Sequence, residues 1–205
     1  MKISIMQPYF YPYKNYFKLI DQSDYFVILD DVQFPRRGWV HRNVLTNKFD
    51  SNKFDWITLP INKHPINTMI KDLEFDKNKI DSFIKKTHKF KFFESKINLY
   101  PEIKKNIFNF EKKPIKYLID NLTTICEILS IKTKILICSK LNISNKLNFR
   151  DRFIKIVKSL EGSKYLNLPG GKMIYDTNFF LENKIELSFI NEQKEKKISI
   201  LDTLK

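Results

Sequence analysis

The chain opens on an apolar run of strand length, KISIM over residues 2–6. A second run, YFVILDD over 25–31, is nearly continuous. Runs of that kind suit parallel strands covered on both faces. Between them, residues 15–22 carry YFKLI on one side of a short amphipathic helix. The connection is too long for a tight hairpin and long enough for a crossover helix. Residues 2–31 therefore read as a right-handed βαβ unit.

Residues 32–54 are polar and irregular. WITLPI (56–61) reads as a third strand stopped by Pro60, and MIKDLEF (69–75) as a further short strand. From about 78 to 130 the period turns helical. In its last helix Pro114 suits the first turn, and Ile115, Leu118, Ile119, Leu122, Ile125 and Leu129 recur at helical spacing. TKILICSKL (133–141) returns as a strand, 149–162 as a helix closed by Gly162, and SKYLNL (163–168) as a strand. PGG (169–171) forms a turn, 175–184 a short helix or turn, and IELSFI (185–190) a final strand. The tail from 192 onward reads as either a docking segment or a frayed end. Strands alternate with helices at both ends of the chain. That predicts an α/β fold with a mostly parallel, Rossmann-like sheet. The expected organisation is a single α/β domain over 1–205 with the helical block 78–130 as an insertion or lid.

Composition changes the picture in three places. With 205 residues the chain is long enough for a real core, and only four glycines occur, which disfavours Gly-rich phosphate loops. The net charge of +14 first suggests nucleic acid, but lysines scattered along the chain make most of it. No basic arm or nucleic-acid motif accompanies them, so nucleic acid is not the expected partner. Arginine is more informative, because its planar fork suits phosphate or carboxylate. Arg36, Arg37, Arg42, Arg150 and Arg152 fall in two short stretches. They mark either anion sites or surface ion pairs. Cys126 and Cys138 lie in apolar stretches and read as buried free thiols of a reducing compartment. The three histidines have no metal-ligand spacing, so no metal is expected. No signal peptide or membrane span is recognisable, and a cytoplasmic protein is expected.

Ligands of open α/β sheets bind outside the carboxyl ends of the strands, where three segments should lie. The first is QPYFYPYKNY (7–16). Tyr9, Tyr13 and Tyr16 offer rings and hydroxyls suited to bases or sugars, with Gln7 beside them and two prolines to stiffen the turn. The alternative is that the rings pad the sheet. The second is ILDDVQFPRRGWVHRN (28–43). Asp30 and Asp31 end a buried strand, and Arg37 and Arg42 follow within a dozen residues, among Gln33, Trp39 and Asn43. The acids suit a hydroxylated ligand or a metal, and the arginines suit its phosphates. The alternative is an internal ion-pair network. The third is LPGGKMIYD (168–176), where Gly170 and Gly171 permit close backbone approach or form a plain turn.

MQPYFYPYKNYFKLI…DYFVILDDVQFPRRGWVHRN, then WITLPI and KYLNLPGGKMIYD, resembles the WbqC-like protein family over most of the chain. That resemblance implies a setting in bacterial O-antigen and capsule gene clusters. Asn15 stands where the family typically has Gly, and His41 where Asn is usual. ISILDTLK resembles the family's final helix, cut off early. A weaker resemblance is to nucleotidylyltransferases of the HUP class, where two histidines three apart stabilise phosphate charge. Here Tyr13 and Tyr16 hold that spacing and carry no positive charge.

The resemblance implies an enzyme of cell-surface polysaccharide synthesis, transferring an acyl or aminoacyl group to the amine of a nucleotide-linked sugar. In that reading Asp30 or Asp31 is the general base. Arg37 and Arg42 hold the diphosphate or the developing oxyanion, and Tyr9 and Tyr13 stack on sugar or base. Two alternatives stay open: a HUP-type nucleotidyl transferase or ATP-dependent ligase, and a non-catalytic scaffold of polysaccharide assembly. The implied cofactor is an acyl or aminoacyl donor, or ATP.

Overall fold

Continuous apolar runs become the strands of a five-stranded parallel sheet in a computed structural model of the chain, which describes residues 1–191 and 196–204. The strands are β1 (Lys2–Met6), β2 (Tyr25–Ile28), β5 (Lys134–Ile137), β6 (Lys164–Asn167) and β7 (Glu186–Phe189). All but β1 are shorter than their apolar runs. Beyond Ile28, for example, only Leu29 still donates to a β1 carbonyl, that of Met6. Their order is β5-β2-β1-β6-β7, with every neighbouring pair parallel. The chain therefore winds outward from β1 through β2 to β5, then returns and winds the other way through β6 to β7. The direction reverses between β1 and β6, the topological switch point of a doubly wound sheet. The α/β, Rossmann-like reading of the sequence holds.

The chain divides into two compact units. The first comprises Met1–Gln7, Asn15–Val32 and Ile131–Glu195 and holds the sheet. With it go α1 (Lys14–Asp21, from Asn15 on), α6 (Phe149–Ser159) and α7 (Thr177–Glu182). Its core joins Ile3, Ile5 and Val27 to Phe153, Ile156, Val157, Tyr165 and Phe180. Phe26, Val27 and Ile28 are all fully buried, as expected of a parallel strand covered on both sides. Gly162 closes α6 by donating to the Val157 carbonyl at 2.8 Å. Glu161, not Gly162, takes the left-handed conformation there (φ 54°). Glycine is needed at 162 because a Cβ would lie 2.5 Å from Ile3 Cγ1.

The second unit comprises Pro8–Lys14, Gln33–Ser130 and Lys196–Lys205. It contains an antiparallel hairpin, β3 (Arg42–Thr46) with β4 (Phe54–Thr58), followed by α2 (Ile80–Thr87), α3 (Lys91–Ser95), α4 (Pro101–Ile107) and α5 (Pro114–Ile128). Within the expected 69–75 strand the chain forms a 3₁₀ turn at Ile70–Asp72, flanked by the isolated bridges Gln33–Met69 and Ile61–Phe75. Its core is aromatic. Phe10 contacts Tyr11, Phe83 and Tyr117, and Tyr117 contacts Phe75 and Phe110. The tail does dock where it is described. Ile200, Leu201 and Leu204 are buried, Ile200 N–H donates to the Pro12 carbonyl, and Ser199 Oγ donates to the Tyr11 carbonyl. Residues 192–195, the charged start of that tail, lie outside the described residues.

Candidate functional site

The three segments singled out in the sequence do not stay together as blocks. Gln7, Tyr16, Asp30, Asp31, Gly170 and Gly171 belong to the sheet unit. Tyr9, Tyr13, Gln33, Arg37, Trp39, Arg42 and Asn43 belong to the second unit.

In the sheet unit, Gln7 follows β1 directly, and Leu168–Gly171 follow β6, the two strands that flank the switch point. Tyr16 is fully buried on α1 and donates its hydroxyl to the Gln7 carbonyl at 2.7 Å. It therefore braces Gln7 from behind rather than presenting a ring to a ligand. Across the switch point, Asn167 ends β6. Its Nδ2 donates to Tyr165 Oη at 2.9 Å, and its Oδ1 accepts from Leu168 N–H at 2.7 Å. Tyr165 Oη in turn lies 3.4 Å from Tyr175 Oη. Burial raises the pKa of both phenols, so they stay protonated and available as donors. The turn over this network is 3₁₀ (Pro169–Met173). A Cβ on Gly171 would lie 2.9 Å from the Tyr175 ring, whereas one on Gly170 would meet nothing within 4 Å. Gly171 is thus a packing glycine, and Gly170 leaves open space.

The two carboxylates at the end of β2 are committed inside this unit. Asp30 is 2 % exposed and accepts from Ser139 N–H (2.9 Å) and Ser139 Oγ (2.7 Å), which ties the end of β2 to the end of β5. Asp31 is 6 % exposed and accepts from Arg152 Nη2 at 2.6 Å through both oxygens. Arg152, in the first turns of α6, is itself 3 % exposed. It also lies 3.2 Å from Cys138 Sγ, and its Nε has no partner among the described residues. Burial pushes the Cys138 thiol up to about 12 despite the neighbouring guanidinium, so it is inert as a nucleophile. Asp30 is thus held by Ser139 and Asp31 by Arg152, and neither is paired with Arg37 or Arg42 among the described residues. Arg152 was visible in the sequence as part of the second arginine stretch. Nothing in its spacing signalled a partner 121 residues away.

In the second unit, Asn43 is buried and holds the tyrosine loop. Its Nδ2 donates to the carbonyls of Phe10 (3.0 Å) and Tyr11 (2.5 Å). Tyr11 is fully buried, takes a left-handed φ of 43° and donates its hydroxyl to Asn121 Oδ1. Tyr13 is nearly buried under Lys197, whose Nζ lies 5.5 Å from the ring centre, and Tyr9 is half-buried. Gln33 donates to the Ile66 carbonyl at 2.8 Å.

The arginine loop begins with a tight turn, Gly38 N–H to the Pro35 carbonyl at 2.9 Å. Arg37 is exposed. Arg42 folds back, giving Nη2 to the Arg37 carbonyl (2.6 Å) and Nε to the Gly38 carbonyl (3.3 Å). Its guanidinium carbon lies 4.5 Å from the centre of the Trp56 ring, and Trp39 meets Trp56 at 5.4 Å. Trp56, which sequence reasoning treated only as part of a strand, is the missed member of this cluster. His41, packed edge-on to Phe34 at 4.9 Å, has its pKa lowered to about 4, first by burial and then by the Arg42 charge and His64.

Among the described residues no group of three or more His, Cys, Asp or Glu is placed to hold a metal ion, and no helix is long and apolar enough to cross a membrane. Comparison with known proteins gives three findings. The sequence model of the WbqC-like protein family matches residues 7–204. "Uncharacterized protein Rv1507c" of Mycobacterium tuberculosis (strain ATCC 25618 / H37Rv) is 38% identical over 60 residues. That stretch is 29% of this chain and 25% of that protein, so the match spans a quarter of the relative's length. No solved structure matches the chain.

Proposed function

The chain belongs to the WbqC-like protein family, and from that premise we propose an enzyme of cell-surface polysaccharide synthesis that acts on a nucleotide-linked sugar. The proposed reaction is acyl or aminoacyl transfer to the sugar's amine. The observation that carries the reading is the strand order β5-β2-β1-β6-β7, with Gln7 and the Pro169–Gly171 turn following the two strands at the switch point. That is where doubly wound sheets take nucleotide-type ligands. The O-antigen and capsule setting comes from the family resemblance.

In such a transfer the neutral amine attacks the donor carbonyl. The N–acyl bond forms, the donor's acyl–oxygen or acyl–sulfur bond breaks, and the amine proton leaves with the donor's leaving group. Gln7 and the phenol–amide network of Tyr165, Asn167 and Tyr175 supply polar groups on either side of the switch point. Asp30 and Asp31 fix the strand ends. Arg37 and Arg42 supply positive charge in the second unit. We place the protein in the cytoplasm, where thiols such as the buried Cys126 and Cys138 stay reduced.

The test is incubation with nucleotide-linked amino sugars and acyl or aminoacyl donors, read by mass spectrometry. The expected result is a sugar nucleotide heavier by one acyl group. Binding of the sugar nucleotide without transfer would assign a scaffold role. ATP binding with pyrophosphate release would assign a nucleotidyl transferase or ligase. No mass change together with no sugar-nucleotide binding would remove the reading.

A further inference from the structure

Arg152 and Arg42 are both ordered guanidinium groups, but their electrostatic states differ. Arg152 is matched by Asp31. Arg42 is held by two main-chain carbonyls and the face of an indole, none of which carries a formal negative charge. Among the described residues no Asp or Glu pairs with Arg36, Arg37 or Arg42. Arg36 is fixed in the same way, by the His64 carbonyl at 3.2 Å. The loop thus gathers three guanidinium groups, two of them anchored by carbonyls, and leaves their charge unmatched.

The loop's shape is built in. A Cβ on Gly38 would stand 2.6 Å from Pro35 Cγ, so the turn that places the Arg37 and Gly38 carbonyls under Arg42 requires glycine. Trp56 is the second peculiarity. In the hairpin register it lies opposite Val44, and its neighbour Ile57 points inward and is buried. Trp56 itself is 48 % exposed. Core packing gives no reason for an indole on the solvent side of β4. Holding a guanidinium does, because a cation over an indole face is attracted by the ring quadrupole. The low proton affinity of His41, caused in part by Arg42, agrees with positive charge that nothing nearby offsets.

We infer that the 36–42 loop and β4 form a diphosphate-binding site, with Arg42 reading the anion and Trp56 positioning Arg42. The guanidinium fork matches phosphate oxygens, and an anchored fork has less rotamer freedom to lose on binding. That the diphosphate belongs to a nucleotide-linked sugar rests on the function proposed above.

Trp39 and Trp56 are the only two tryptophans of the chain, so emission excited selectively at tryptophan reports on this cluster. The full-length protein is titrated with inorganic pyrophosphate, followed by fluorescence and calorimetry, with sulfate at equal ionic strength as the control. Saturable binding of pyrophosphate is expected. Arg42→Lys keeps the charge, loses the fork and should weaken binding about tenfold or more. Trp56→Thr should weaken it about as much, and Trp56→Phe should restore it to within about threefold. Arg150→Ala, at an exposed arginine of the other unit, should have no effect. Thermal melting accompanies each variant, and Arg42→Lys, a charge-conserving change, carries the test if Trp56→Thr does not fold. The inference is overturned if Arg42→Lys binds like the parent, if Trp56→Phe and Trp56→Thr bind alike, or if sulfate competes equally. Pyrophosphate binding without acyl transfer would keep this site and remove the transferase reading. Transfer that is unaffected by Arg42→Lys would do the reverse.

Discussion

Removing the carboxylate of Asp31 should be among the most destabilising single changes available in the sheet unit. Asp31 is 6 % and Arg152 3 % exposed, and both carboxylate oxygens sit 2.6 Å from one nitrogen, Nη2. Asp31→Ala therefore strands a guanidinium in the interior. The loss of a partner from a buried pair costs about 3–5 kcal/mol, a large part of a typical stability of about 5–15 kcal/mol. The pair itself is imperfect, because Arg152 Nε is buried without a partner and its desolvation is only partly offset. The double replacement Asp31→Leu with Arg152→Met should thus recover most of the loss, to within about 1 kcal/mol of the parent or better. Urea unfolding of the parent, both single variants and the double variant gives the cycle directly. A coupling energy below about 1 kcal/mol, or an Asp31→Ala variant that is fully stable but catalytically dead, would refute the structural assignment and favour the general-base role for Asp31.

Three further outcomes follow from local geometry. His41 titrates at about 4 in the fold against 6.5 unfolded, so its contribution is complete above pH 6.5 and is lost as the pH falls toward 4. After discounting for screening of this part-exposed ring, the loss is about 1–2 kcal/mol, and His41→Asn should flatten that limb of the stability–pH curve. Gly162→Ala should cost about 1–3 kcal/mol through its clash with Ile3 and Val157, while Gly170→Ala, facing open space, should change the melting temperature little. Asp202 accepts Thr46 N–H and Oγ1 through one oxygen, and burial raises its pKa. The folded state then holds its proton more tightly than the unfolded state, so this contribution is greatest at low pH and falls as the pH rises through the raised pKa. Asp202→Asn keeps the acceptor without the charge. Calorimetry at pH 7 should find it as stable as the parent or more so.

Strands β1, β2, β6 and β7 were legible because parallel strands need apolar residues on both faces, and their runs say so. The β3 strand was not legible. RNVLT lies in a polar stretch, and one of its buried positions is Asn43, which serves the Phe10 and Tyr11 carbonyls rather than the apolar core. In 69–75, Leu73 and Phe75 are buried two apart as in a strand, but Ile70 is buried from a 3₁₀ turn three positions before Leu73. The acid–arginine loop misled through proximity. Asp31 stands closer in sequence to Arg37 and Arg42 but pairs with Arg152, because the carboxyl end of β2 and the first turns of α6 meet through the sheet's winding. Trp56 was hidden in the opposite way: its exposure depends on hairpin register, which the sequence did not disclose.

The tyrosine loop is finished by a part of the chain made long after it. Ser199 closes on Tyr11 across 188 residues, and at about 5–20 residues per second that interval is roughly 10–40 s of synthesis. Asn43, only 32 residues on, reaches the same carbonyl early. A nascent chain thus carries a provisional latch on Phe10 and Tyr11 well before the permanent one arrives. Slowing or stalling translation between those two points should lengthen the time for which these rings lack part of their cover, and with it the demand for chaperones.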